Sequence, residues 1–126
     1  MSWDADLVGH IDGHPVYLAD WNYTHNCNHM IADAMERAGE PTVEQVKGPL
    51  GPAIGPAWWK RLDGMSAKDG AALLDRVLAE FIADPQHYIA MNPENGWGDY
   101  QTLLKVLEEM QFASEKYPSA VWRLHG

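Results

Sequence analysis

The sequence is short of cysteine and of long apolar runs, and each shortage excludes a class of protein. Cys27 is its single cysteine, so no internal disulfide can form, in agreement with a reducing compartment. No apolar run approaches the roughly 18 residues of a membrane span. The N-terminus also lacks the basic-then-apolar layout of a signal peptide. We therefore expect a cytoplasmic protein without a membrane partner.

Basic side chains are scarce as well. Nine Lys and Arg stand against 18 Asp and Glu, which gives a formal charge of −9. Such a field repels a phosphate backbone, so we expect no nucleic-acid partner. An acidic protein can instead imitate DNA, but that needs carboxylates at phosphate-like spacing. Here the carboxylates are scattered along predicted helices, which is typical of a solvated face.

The length of 126 residues, 46% of them hydrophobic, predicts a single domain, residues 1–126, with a sizeable core. Asp12-Gly13 separates two short apolar runs and predicts a β-hairpin, because Asp-Gly suits a type I′ turn. Pro15 lacks a backbone N–H and favours an edge strand. The alternating Val121–Leu124 segment predicts a closing strand that pairs with this hairpin.

The first predicted helix runs from about Cys27 to Ala38. Thr24 or Asn26 can cap it, because a side-chain oxygen at that position accepts a hydrogen bond from a free backbone N–H. Apolar residues then recur at helical spacing, and Gly39 with Pro41 is typical of a helix end.

Two further long helices are predicted before the closing strand. Ser66 can cap the first of them. Its apolar stripe consists of Ala71, Leu74, Val77, Leu78, Phe81 and Ile82. A short helix can begin at Pro85, and Gly98 or Asp99 then caps the last long helix, which ends near Tyr117. The predicted fold class is α+β: a small antiparallel sheet, made of the N-terminal hairpin and the C-terminal strand, packed against about three helices.

The connection at about residues 40–65 is rich in Gly-Pro pairs and leads into Trp58-Trp59. It is interpreted either as a long connection held to the core by its tryptophans or as a lid or partner-binding arm. Neighbouring side chains alternate along a strand and lie about 100° apart on a helix, so we expect one ring buried and the other partly exposed. An exposed ring there would favour a homodimer or a host-protein contact.

Two segments, Asp20–His29 and Met91–Tyr100, are dense in Asn, His, Gly and aromatic residues. We expect them to lie side by side, with Trp97 buried. Carboxamides offer donors and an acceptor together, and aromatic rings supply apolar walls, as in a small-molecule pocket. The predicted ligand-binding residues are Asn22, Tyr23, Thr24, His25, Asn26, Asn92, Asn95, Trp97 and Tyr100. The alternative is that the asparagines only cap helices and hold turns.

Reactive chemistry has weaker support. His25 and His29 are four residues apart and would share a helix face, as zinc-binding histidines do, but no HExxH or paired CxxC accompanies them. Cys27 could be an activated thiol at a helix N-terminus or a small core residue. No phosphate-cradle motif occurs. We expect no metal and no cofactor, and we assign no catalytic residue; whether there is catalysis stays open.

The segments Asn22–Asn26 and Asn92–Tyr100 resemble, in this order, a group of small uncharacterised bacteriophage and actinobacterial proteins that share N-x-T-x-N and NPxNGWGxY motifs. The likeness covers both motifs and the helical chain between them, without the Gly-Pro connection. It implies a compact phage-type accessory protein in the host cytoplasm and carries no known activity. The resulting hypothesis is a non-catalytic protein that binds a small polar, nucleotide-like ligand. The alternatives are a module that blocks a host factor through Trp58 and Trp59, and a metal-dependent hydrolase that uses His25 and His29.

Overall fold

The computed structural model describes residues 2–40, 45–47 and 53–126. The strands in chain order are β1 (Ser2–Ile11), β2 (His14–Thr24), β3 (Gln45–Lys47), β4 (Ala53–Pro56) and β5 (Val121–His125). The helices are α1 (Asn28–Arg37), α2 (Trp59–Leu62), α3 (Ala67–Ala83), α4 (Pro85–Ile89) and α5 (Tyr100–Lys116), and a 3-10 turn (His25–Cys27) leads into α1. The predicted α+β class is confirmed, with two short helices besides the three long ones.

The main sheet has the strand order β2-β1-β5, and both pairings are antiparallel. Asp12 and Gly13 join β1 to β2 with φ values of 51° and 79°, as a type I′ turn requires. Pro15 lies in β2, which is one of the two edge strands of this sheet. The hairpin, the edge position and the pairing of the C-terminal strand with β1 are therefore confirmed.

Side-chain caps begin the helical segments where the sequence predicted them. Thr24 Oγ1 accepts from the backbone N–H of Asn26, Ser66 Oγ accepts from that of Asp69, and Asp99 Oδ1 accepts from that of Thr102. The stripe of α3 is buried up to Phe81, but Ile82 is 66% exposed and was wrongly included. Among the described residues, no helix is long and apolar enough to cross a bilayer.

The connection before α3 contains a second antiparallel pair, β3 and β4, followed by α2. The Gly48-Pro49 and Gly51-Pro52 pairs lie outside the described residues. Trp58 and Trp59 are both buried, with exposed fractions of 2% and 5%, so the expectation of one exposed ring was wrong.

The two rings leave the start of α2 in different directions, and each direction leads into the protein. Trp58 packs edge-on against Trp3 of β1, with ring centres 5.0 Å apart. Trp59 packs against His25, with ring centres 5.1 Å apart. Of the two interpretations of this connection, attachment to the core through its tryptophans is the one that the structure supports.

Candidate functional site

The two Asn-rich segments lie side by side, as predicted. The hydroxyl of Tyr23, near the end of β2, accepts a hydrogen bond from the backbone N–H of Asp99 and lies 2.6 Å from Thr102 Oγ1. On the other side of the junction, the His29 ring Nε2 lies 2.9 Å from the carbonyl oxygen of Met91. These contacts join the end of the hairpin and the start of α1 to the turn that precedes α5.

Gly98 sets how closely the segments approach each other. Its φ of +90° belongs to the left-handed region that side chains with a Cβ rarely adopt. A Cβ at this position would lie 2.7 Å from Thr24 Cγ2 and 3.1 Å from Cys27 Sγ. Both the backbone angle and the space therefore require glycine.

A cavity of about 740 Å³ opens at this junction. Its walls combine hydroxyls, carboxamides, two aromatic rings and the glycine backbone. The lining residues are Ser2, Asn22, Tyr23, Thr24, Asn26, Trp97, Gly98 and Thr102. Asn22, Tyr23, Thr24, Asn26 and Trp97 were predicted from the sequence to bind a ligand.

Trp97 is 70% exposed, so the expectation of a buried ring was wrong. Its backbone N–H donates to Asn95 Oδ1 at 2.9 Å, in a local turn that keeps residue 97 at the surface. The inward positions of this segment belong instead to Gly98, which fills the junction, and to Tyr100, which is buried. The Trp97 ring forms part of the cavity wall without being covered by it.

The amide groups of the lining differ in how much they are already used. Asn22 Nδ2 donates to Asp4 Oδ1 at 2.7 Å and to Ser2 Oγ at 2.9 Å, and the carboxylate partner fixes which end of the amide is nitrogen. Asn22 Oδ1 has no hydrogen bond among the described residues. The exposed carboxamide of Asn26 also makes no hydrogen bond within the described residues. Both groups are therefore available to a ligand.

No family model, curated protein or solved structure matches the chain. The phage-type resemblance of the two motifs therefore stays a prediction. The functional proposal has to rest on the cavity and on the chemistry of the residues around it.

Four of the predicted ligand residues lie outside the cavity lining. Asn92 Oδ1 accepts from the backbone N–H of Tyr100, and Asn95 holds the turn at Trp97. The Tyr100 hydroxyl donates to the carbonyl oxygen of Phe81 in the core, at 2.7 Å. For Asn92 and Asn95, the alternative that asparagines only cap helices and hold turns describes what the structure contains.

His25, the fourth of them, belongs to a buried hydrogen-bonded chain. The Trp58 indole N–H, which can only donate, bonds to Asn28 Oδ1 at 3.1 Å and so fixes the orientation of that amide. Asn28 Nδ2 must then donate to His25 Nδ1, 2.7 Å away. The neutral ring consequently carries its proton on Nε2, and burial lowers the pKa of His25.

The alternatives with reactive chemistry find little support in this geometry. Among the described residues, no three or more His, Cys, Asp or Glu side chains are grouped so that they could hold a metal ion. Cys27 is buried, and burial, with a further contribution from the charge of Asp99, raises the pKa of its thiol although a hydrogen bond with Tyr23 opposes the shift. A protonated, enclosed thiol is a poor nucleophile.

Ser2, Gly98 and Thr102 also line the cavity, and they were not among the ligand-binding residues predicted from the sequence. Ser2 pairs with Thr24 in the hairpin register, which brings the start of the chain to the cavity. Thr102 lies in the first turn of α5, next to the Tyr23 hydroxyl. The hairpin register alone could have indicated Ser2, but the position of Thr102 depends on how α5 packs against β2.

Proposed function

We propose that the protein binds a small polar, nucleotide-like ligand, without catalysis, in the cavity between Asn22–Asn26 and Trp97–Thr102. The observation that carries this proposal is the cavity itself, which has about 740 Å³ of space where the two segments meet. Small-molecule sites in proteins typically span about 300–1,000 Å³ and combine apolar walls with a few placed polar groups.

Trp97 supplies the main apolar surface of the proposed site. A base that stacks on an aromatic side chain typically gains about 1–3 kcal/mol. The ring is exposed, and the Asn95 turn on one side and Gly98 on the other define the backbone that carries it. Because the turn already defines the backbone at residue 97, binding has to order only the side chain, which favours affinity.

Asn22 and Asn26 supply the groups that can read the ligand. The Asn26 carboxamide offers a donor and an acceptor side by side, the pattern that matches the edge of a nucleobase such as adenine. Asn22 offers its oxygen, because its nitrogen is held by Asp4 and Ser2. The hydroxyls of Ser2, Thr24 and Thr102 suit the polar edge of a sugar.

The protonation states around the cavity favour binding over chemistry. Burial raises the pKa of Tyr23, whose hydroxyl is already bonded to the start of α5. The thiol of Cys27 is likewise kept neutral and enclosed. General bases and nucleophiles need the opposite shift or a free, activated group.

The phage-type resemblance suggests the setting for this proposal. We place the protein in the cytoplasm of a host cell, where an accessory protein of this kind would sequester a nucleotide-like signal. A host-protein partner at Trp58 and Trp59 is less well supported, because both rings are buried in the protein's own core.

Titration calorimetry and ligand-observed NMR with the four ribonucleosides and their monophosphates test the proposal. We expect at least one of them to bind, and Trp97→Ala to weaken that binding by about 5- to 150-fold, as the loss of a stacked base implies. Tyr17→Ala is the matched control, since Tyr17 is also 70% exposed and lies outside the cavity lining. No binding by the wild type, or equal binding by Trp97→Ala, would count against the proposal.

A further inference from the structure

The charged groups around the cavity indicate which nucleotide-like ligands it accepts. Among the described residues that line the cavity, none is Lys, Arg or His. Phosphate groups in proteins are usually held by Arg or Lys side chains, or by the free N–H groups of a helix N-terminus. The side chains that form these walls therefore offer no positive charge to a phosphate.

Two carboxylates lie directly behind the lining. Asp4 Oδ1 is 2.7 Å from the amide nitrogen of Asn22, and the Asp4 side chain is 45% exposed. The second is Asp99, which follows the lining residue Gly98 in the chain and whose carboxylate is hydrogen-bonded to the lining residue Thr102. His125 Nδ1 is 3.7 Å from the other oxygen of Asp4 and offsets its charge only when the ring is protonated.

At the N-terminus of α5, which borders the cavity, several backbone N–H groups already have acceptors. Asp99 Oδ1 already accepts a hydrogen bond from the backbone N–H of Thr102, at 2.8 Å. The Tyr23 hydroxyl accepts a hydrogen bond from the backbone N–H of Asp99. The Asp99 carboxylate further offsets the positive end of the helix dipole, which would otherwise attract a phosphate.

We infer that the site selects nucleosides or free nucleobases and discriminates against their phosphorylated forms, with Asp4 and Asp99 as the residues that set this selectivity. The inference rests on the proposed function, because it concerns the ligand of the same cavity. It divides the nucleotide-like class by charge. The base and the sugar contact Trp97, the amides and the hydroxyls, whereas a phosphate meets two carboxylates and no Lys, Arg or His side chain among the described lining residues.

Calorimetric titration with adenosine, its monophosphate and its diphosphate tests this selectivity, with the other three nucleosides and their phosphates as parallel series. Measurements at pH 8 and low salt keep histidine side chains neutral and electrostatic screening weak. We expect the monophosphate to bind at least about fivefold more weakly than the nucleoside, and the diphosphate more weakly still, as one or more repulsive charge contacts imply.

Asp4→Asn and Asp99→Asn remove the charges while keeping the contacts. Asparagine remains a good N-cap at position 99, and at position 4 its oxygen can still accept from Asn22. Each variant should keep nucleoside affinity within about twofold and bind the monophosphate severalfold more tightly than the wild type does. Glu36→Gln, a change of the same size at an exposed site of α1, should alter neither affinity.

The outcomes separate this inference from the proposed function. If a monophosphate binds as tightly as its nucleoside, the selectivity is wrong and the ligand site stands. A preference for the nucleoside that persists unchanged in both Asn variants would overturn the assignment to Asp4 and Asp99. If neither the wild type nor the variants bind any member of the series, the selectivity and the proposed function fall together.

Discussion

Trp58-Trp59 and Trp97 occupy similar sequence surroundings, rich in Gly and Pro, but their environments in the folded protein are opposite. Trp58 and Trp59 are only 2% and 5% exposed, whereas Trp97 is 70% exposed. The sequence had instead predicted a buried Trp97 and one partly exposed ring in the Trp58-Trp59 pair. The difference shows that turn composition predicts where the chain bends but not which way a large ring then faces.

What distinguishes the two regions is the set of partners within reach of each ring. Trp58 meets the edge of Trp3 and the amide of Asn28, and Trp59 meets His25. At the other junction the close approach of Gly98 leaves no space for a ring between the segments. A glycine next to a tryptophan can therefore indicate that the glycine, not the ring, makes the close contact between the two segments.

The largest effect is expected from removing a buried ring. Trp58→Ala should lower the free energy of unfolding by about 3–5 kcal/mol, because it leaves a large void and also deprives Asn28 Oδ1 of its donor. Trp97→Ala should change it by less than about 1 kcal/mol, as exposed substitutions usually do. Urea denaturation of both variants measures the contrast. Equal losses of stability in the two variants would contradict the distinction drawn here.

Local chemistry made much of the fold predictable. The Asp12-Gly13 turn and the caps at Ser66 and Asp99 depend on neighbours in sequence, and the structure contains all three. The adjacency of the two Asn-rich segments was also predicted. Burial of Trp58 and exposure of Trp97 depend on residues far away in sequence, such as Trp3 and Thr24, so no local pattern could indicate them.

The same limit applies to the candidate site. Asn22 and Asn26 were selected because carboxamides and aromatic rings cluster in their segment, and both line the cavity. Asn92 and Asn95 have the same composition around them but are used by backbone N–H groups of their own turn. Composition alone cannot separate an amide that faces a cavity from one that closes a turn.

The second prediction concerns Gly98, at which the two Asn-rich segments closely approach each other. Gly98→Ala should cost about 1–3 kcal/mol from its strained φ, and more because the new Cβ would lie 2.7 Å from Thr24. Gly96→Ala is the matched control: its φ is +75°, but nothing lies within 4 Å of the position of its Cβ. Thermal unfolding should therefore give Gly98→Ala the larger loss. A larger loss for Gly96→Ala would mean that the contact at Gly98 does not limit the approach of the segments.

The third prediction concerns His25, which packs against the buried ring of Trp59. The pKa of His25 is lowered from 6.5 by burial, so at pH values between the folded and unfolded pKa only the unfolded chain takes up this proton. The free energy of unfolding should therefore fall as the pH drops below about 6.5, with a contribution of at most about 1.4 kcal/mol per pH unit. Denaturation of the wild type and His25→Gln between pH 5 and 7.5 isolates this contribution as a flatter profile in the variant. The exposed His14→Gln should keep the wild-type slope, and identical slopes in all three proteins would show that His25 is not held neutral.

The smallest effect on stability is expected from Trp97→Phe, and acrylamide quenching of Trp97→Phe and Trp59→Phe compares the two regions directly. Trp97 is the most exposed of the six tryptophans, so Trp97→Phe should remove most of the quenchable emission at almost no cost in stability. Trp59→Phe should leave the quenchable fraction nearly unchanged, because Trp59 is 5% exposed. Light scattering on the same samples tests the homodimer that exposed rings at residues 58 and 59 would favour. Strong quenching that disappears in Trp59→Phe would show that this ring reaches the surface. A dimeric wild type that becomes monomeric in Trp59→Phe would restore the ring as a contact residue.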